Sequence, residues 1–149
     1  MRHEELYLAD LVDNARVVGQ YLEGVTRELW DSDRKLRDAV LYRMLLLGEI
    51  ASSLPEELRE RHPEVAWRAV RGFRNLSVHR YFGVDWSVVW TLGREEVPVL
   101  ADQAMAILRA EYPDRAKLFE SAAEQADGDA GVSEAGSSPE GPENQAESD

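Results

Sequence analysis

The residues able to do chemistry crowd into one short stretch of this chain, "RGFRNLSVHRYFGVDW", Arg71 to Trp86. It carries Arg71, Arg74, His79 and Arg80, and its first acid is Asp85. With Arg68 included, four arginines fall between Val65 and Val84 without one carboxylate, in a chain of formal charge -12. Such a cluster draws phosphate, whose oxygens an arginine fork can grip through two parallel hydrogen bonds. Nearby cations are expected to depress the pKa of His79, leaving a neutral imidazole able to accept a proton. A neutral histidine beside a phosphate-gripping arginine suits RNA cleavage. His79 would take the proton of a ribose 2′-OH, and Arg74 would stabilise charge on a phosphorane-like transition state. That chemistry needs no metal and no other cofactor.

Helix geometry constrains the arrangement. Arg74 and Tyr81 lie seven apart and share a helical face, whereas His79 is rotated away from Arg74. One regular helix therefore cannot converge all three on one atom. Either the helix unwinds near "SVHRYFG", or two chains bring their segments together. Cleavage usually uses both a base and an acid, and each chain has one suitable histidine, so the sequence favours a symmetric homodimer with a shared cleft. The same residues also have a purely structural explanation. Cations suit the last turn of a helix, and Tyr81 and Phe82 suit packing at its end. An Arg-x4-His pair is expected by chance about 0.3 times at this composition, and about 0.01 times once the tyrosine is added. The triplet is therefore more informative than the pair. Arg68 and Arg71 have a bland role open to them as well, pairing with Glu49 or Glu64. Glu49, in an apolar helix, is expected to need a partner, and Arg74 is a candidate.

Other chemistries are poorly supported. His3, His62 and His79 form no HxxxH or HExxH pair, and the chain has no cysteine. "DSD" at 31–33 reads as helix capping, "DGD" at 127–129 lies in an acidic segment, and neither a phosphate-binding glycine loop nor a G-x-S-x-G elbow is present. The N-terminus has acids where a secretory signal would be apolar, and the run around "MLLLGEIA" is too short to span a bilayer. A soluble cytoplasmic protein with no membrane association is expected.

The elements that must position these residues are helical. Leu8, Leu11, Val12, Ala15, Val18, Leu22 and Val25 follow three-and-four spacing, predicting one helix over 4–29. Asp31, Ser32 and Asp33 are candidate N-caps for a second helix facing inward through Leu36, Ala39, Val40, Met44, Leu47, Ile50 and Ala51. Gly48 in its interior implies close approach of another helix. A turn between Pro55 and Pro63 leads to a third helix over about 65–81, stopped by Gly83. Asp85 caps a restart, and a last helix buries Val97, Leu100, Ala101, Ala104, Ile107 and Leu108, with Pro98 in its first turn. The expectation is an all-α up-and-down bundle of four to five helices over residues 1–114. Residues 115–149 are expected to be a disordered acidic tail. From Glu120 onward there are nine acids and no Lys or Arg, so residues 1–119 carry 17 basic and 20 acidic residues, a net of -3. The tail reads as a solvated solubilising segment, or alternatively as a nucleic-acid mimic shielding the basic residues.

"RNLSVHRYFGVDWSVVW" resembles the Arg-x4-His-x-Tyr motif and following helix of HepT-like toxins in the HEPN superfamily. "DAVLYRMLLLGEIASSLPEEL" is similar to the family's second helix with its Gly-Glu pair, and "PEVAWRAVRGFRN" to its approach to the motif. The similarity spans residues 6–112 and leaves the acidic tail unexplained. It implies a HEPN-like bundle, a metal-independent ribonuclease centre of Arg74 and His79 supported by Asn75, and a homodimer with a composite cleft acting on tRNA or mRNA. It also implies that Tyr81 accepts AMP from an MntA-like nucleotidyltransferase antitoxin. Arg71 and Arg80 would contact RNA phosphates. Arg80 departs from the small or acidic residues common between the motif's His and Tyr. Two functional readings follow: a ribonuclease toxin of a toxin–antitoxin pair, or a non-catalytic binding subunit for a small nucleotidyltransferase.

Overall fold

A computed structural model describes residues 3–77 and 83–130. His79, Arg80 and Tyr81 lie outside the described residues, as does the tail from 131 onward. Among the described residues there is no strand, and the fold is all-α. The helices are α1 (Glu4–Leu22), α2 (Arg27–Ser32), α3 (Arg34–Ser53), α4 (Glu56–Arg61) and α5 (Trp67–Arg71), which continues as a 3₁₀ turn, Gly72–Asn75. After the motif come α6 (Trp86–Thr91), a π turn (Leu92–Glu96), α7 (Val97–Glu111) and α8 (Pro113–Ala130).

The apolar spacing of α1, α3 and α7 dictates the packing. Leu8, Leu11, Val12, Ala15, Val18 and Leu22 of α1 are all buried, against Val40, Met44, Leu47 and Ala51 of α3 and Leu100, Ala104, Ile107 and Leu108 of α7. One buried polar side chain, Asn14, ties α1 to α3: it accepts from Arg43 Nη1 at 2.9 Å and donates to the Asp10 carbonyl at 2.9 Å. Both of its ends are thereby satisfied, as burial requires.

The helix expected over 4–29 is two helices. Gly24 adopts φ 68°, a left-handed conformation that glycine tolerates best, and turns the chain after α1. Thr26 then caps α2 by accepting from Leu29 N at 3.2 Å. Among the three capping candidates Asp33 does the work, accepting from Leu36 N at 3.0 Å; Asp31 and Ser32 belong to α2. At the far end of α3, Arg59 Nη1 donates to the Leu54 carbonyl at 2.7 Å, a cation meeting the helix's unpaired C-terminal carbonyls.

The restart after Asp85 and the last helix are continuous, so the chain runs from Trp86 to Glu111 as one rod with a widened turn. Pro98 has no N–H and in a regular helix its ring would clash with the carbonyl four residues back. The π turn relieves this, with Val97 N–H reaching the Leu92 carbonyl five residues away. Residues 115–130, expected in the tail, form most of α8. Its hold on the bundle is confined to its first half, where Ala116 is buried and Arg16 lies 5.3 Å over the Phe119 ring.

A polar clasp joins α4, α1 and the end of α7. His62 lies between Glu64 Oε1 (3.0 Å) and Glu111 Oε2 (2.7 Å), Arg61 Nε meets Glu111 Oε1 at 3.0 Å, and the Tyr112 hydroxyl donates to Glu4. Burial raises the Glu111 carboxyl, but hydrogen bonds from His62 and Arg61 outweigh it and hold the group below the usual carboxylate range. Its contribution to stability is present above the unfolded carboxylate pKa and is lost as pH falls through the lowered folded value. The bond to Glu4, then burial, push Tyr112 up to about 12. That contribution is intact below the free phenol's pKa and disappears as pH climbs through about 12. Tyr112→Phe is expected to cost about 1–2 kcal/mol at neutral pH, and the gap to wild type should close at strongly alkaline pH. Urea denaturation of both proteins across the alkaline range checks this.

Candidate nucleic-acid site

α5 is anchored through its apolar side. Trp67, Val70 and Phe73 are buried, and Trp67 Nε1 donates to the His62 carbonyl at 2.9 Å. The opposite side carries Arg68, Arg71 and Arg74. In an α-helix a step of three falls about 60° short of a full turn, so such a stripe drifts. In the 3₁₀ turn, residues three apart eclipse, which brings Arg71 and Arg74 into line. The Arg74 Nε donates to the Arg71 carbonyl at 3.3 Å, tying the later arginine to the backbone of the earlier one.

Arg68, Arg71, Gly72, Arg74 and Asn75 line a cavity of about 300 Å³ with no acid in its wall among the described residues. The pairing with acids left open for Arg68 and Arg71 is not found among the described residues. Glu64 is engaged by His62, Glu49 is exposed, and among the described residues none of Arg68, Arg71 and Arg74 forms an ion pair. Glu49 therefore does not orient Arg74 among these contacts. Its α3 position points outward, where a carboxylate needs no protein partner. Larger cavities exist, such as one of about 550 Å³ between α1 and α7, whose wall mixes Arg16 and Arg94 with Glu23 and Asp102.

Gly48 explains how the 3₁₀ turn is seated. A Cβ there would lie 2.8 Å from both the backbone N and the Cγ of Arg74, and 3.3 Å from the Val70 carbonyl. The close approach expected from the glycine is thus made by the segment bearing Arg74. Gly48→Ala is expected to force the backbone of Arg74 outward at a cost of about 1–3 kcal/mol. Thermal unfolding of this variant beside Gly72→Ala, where nothing lies within 4 Å of the added methyl, separates the clash from a general effect of removing glycine.

On the far side of residues 78–82 the chain is fixed as firmly. Asp85 caps α6, accepting from Ser87 N at 3.1 Å and Val88 N at 3.2 Å. Trp30 of α2 is fully buried, and its Nε1 donates to the Trp86 carbonyl at 3.1 Å. Its ring lies 6.2 Å from Trp86 and 5.5 Å from Trp90. Both ends flanking the motif are therefore clamped, one by Gly48 and one by Trp30. Of the candidate site residues, Arg71, Arg74 and Asn75 share one cavity; His79, Arg80 and Tyr81 are not described. Arg68 was legible only as a step in the stripe, yet it lines the same cavity.

No helix among the described residues is long and apolar enough to cross a membrane. No solved structure matches the chain. Among curated proteins, it is 30% identical over 111 residues to "Putative RNase TTE0752" of Caldanaerobacter subterraneus subsp. tengcongensis, covering 74% of this chain and 99% of that one. It is 29% identical over 99 residues to "Probable ribonuclease HepT" of Thermococcus cleftensis, covering 66% and 90%. The family described as Ribonuclease HepT-like matches residues 11–107, which include Gly48, the arginine stripe and the whole Arg-x4-His-x-Tyr motif but stop short of α8. The chain belongs to the HepT-like ribonuclease family.

Proposed function

We propose that the chain is a metal-independent endoribonuclease whose reacting pair is Arg74 and His79. The observation that carries this reading is the acid-free arginine cavity adjoining the motif, in a chain of a ribonuclease family. His79 removes the 2′-OH proton, the 2′ oxygen attacks the adjacent phosphorus, and the 5′ oxygen leaves with a proton supplied by an acid. The products are a 2′,3′-cyclic phosphate and a 5′-hydroxyl. Arg74 stabilises charge on the phosphoryl oxygens, Asn75 supports it, and Arg71 and Arg80 contact RNA phosphates. A homodimer supplies the second histidine as the acid.

In this reading the enzyme is a toxin held in check by an MntA-like nucleotidyltransferase. The Tyr81 oxygen attacks the α-phosphorus of ATP, pyrophosphate leaves, and the bound AMP brings bulk and negative charge to a cationic cleft. Purified protein made without any nucleotidyltransferase, shown by intact mass to be unmodified, is incubated with total tRNA in EDTA. Cyclic-phosphate-ended fragments are the expected result. RNA left whole by unmodified protein sinks the enzyme reading and leaves the binding-subunit one.

A further inference from the structure

We infer that Arg68 and Arg71, with the Asn75 amide, form a phosphate subsite that holds a phosphodiester beside the one being cut. This rests on the ribonuclease reading for its substrate, and on separate observations for its place. The cavity is lined by three arginines and one asparagine and, among the described residues, by no acid. The Arg71 Nε is buried without a hydrogen-bond partner, so the protein leaves this guanidinium incompletely satisfied. Arg74 is held by the Arg71 carbonyl and not by its side chain, and among the described residues the Arg71 guanidinium has no hydrogen-bond or ion-pair partner.

Spacing favours a chain of phosphates over a single ion. Three residues of 3₁₀ helix rise about 6 Å, on the scale of one nucleotide step along a single strand. Arg71 and Arg74, eclipsed on that turn, can each take a different phosphate of one strand. Arg68, one step earlier on α5, shares the first phosphate with Arg71. The subsite positions RNA while Arg74 and His79 do the chemistry, so it should act on binding and not on turnover.

The test uses the full chain, unmodified at Tyr81, with a short fluorescein-labelled single-stranded RNA whose anisotropy is followed between about 50 and 200 mM salt. The His79→Ala background keeps the RNA whole. Arg68→Gln and Arg71→Gln are each expected to weaken binding about tenfold and to flatten the salt dependence by up to about 0.7 in log–log slope, each removing one of the two cations on the shared phosphate. In the cleaving background they should raise KM about tenfold with kcat within twofold. Arg71→Lys should keep the salt slope yet lose affinity, since it retains charge without the fork. Unchanged slope and KM in both glutamine variants would overturn the subsite even if wild type cuts RNA normally. Conversely, intact RNA with the slopes reduced as expected keeps the subsite and discards the ribonuclease. Polyglutamate competing as well as RNA, with the same dependence on Arg68 and Arg71, would mark a general anion surface and overturn phosphate recognition. Unaltered thermal unfolding of each variant ties the effects to the ligand.

Discussion

Arg74→Lys is expected to slow RNA cleavage about a hundredfold while leaving the protein as stable as wild type. The two arms of this expectation come from different atoms of one side chain. The stem and backbone of Arg74 meet Gly48, with Cγ and N 2.8 Å from where a Cβ would stand, and lysine keeps both. The head is exposed, so little folding energy depends on it. Lysine cannot present a planar fork to two phosphoryl oxygens, and it lacks the Nε that donates to the Arg71 carbonyl at 3.3 Å. The loss should fall on kcat, since charge on the phosphoryl group grows in the transition state. His79→Ala, which removes the proposed base, is expected to slow cleavage by at least as much. Initial rates with a defined RNA, read beside melting curves, decide the matter. A lysine variant that cuts at the wild-type rate would show that Arg74 contributes only charge.

The largest stability effect should come from Trp30, far from the motif in sequence. Trp30→Ala is expected to cost about 3–5 kcal/mol, the range for emptying a buried tryptophan site. Its ring is fully buried, packs edge-on against Trp86 at an interplanar angle of 74°, and donates its N–H to the Trp86 carbonyl. Arg37 and Arg94 close the cluster from outside, 5.1 Å over Trp86 and Trp90 respectively. Because Trp86 opens the helix that follows the motif, cleavage should suffer with stability. Trp30→Phe keeps most of the apolar contact but drops the hydrogen bond, and about 1–2 kcal/mol is expected. Chemical denaturation measures both, and equal losses would mean that the ring's packing is not what stabilises the joint.

The long helices were legible because each repeats its apolar side chains often enough to define a face. All six inward residues expected between Val97 and Leu108 are buried, and Asp33 and Asp85 cap as their positions imply. Trp30 was not legible, because α2 has six residues and a single buried one, too few for a period. The break at Gly24 was hidden by Val25, which continues the spacing of Leu22 although it lies beyond the turn. α8 is polar almost all round, and only tertiary contacts at Ala116 and Phe119 distinguish its start from a solvated tail. At the site, the step of three and the meaning of Gly48 could both be read directly. Whether the arginines were paired with acids could not. That depends on where Glu49 and Glu64 point in space, which local sequence does not encode.

The widened turn at Leu92–Glu96 amounts to one inserted residue in an otherwise continuous rod. Val89 and Val97, both fully buried, flank it. A regular helix would set them about 80° apart around the axis, and the insertion brings them within about 20°. Straightening the turn into regular helix without removing a residue, as replacing Pro98 by a helix former would favour, would turn Trp86 and Trp90 off Trp30, whereas deleting one residue there leaves the valines seven apart and keeps the phase. The widened turn therefore holds the phase between Asp85 and Val97: a one-residue deletion with Pro98 replaced is expected to be tolerated as regular helix, whereas a further one-residue insertion is not unless it is compensated within the stretch.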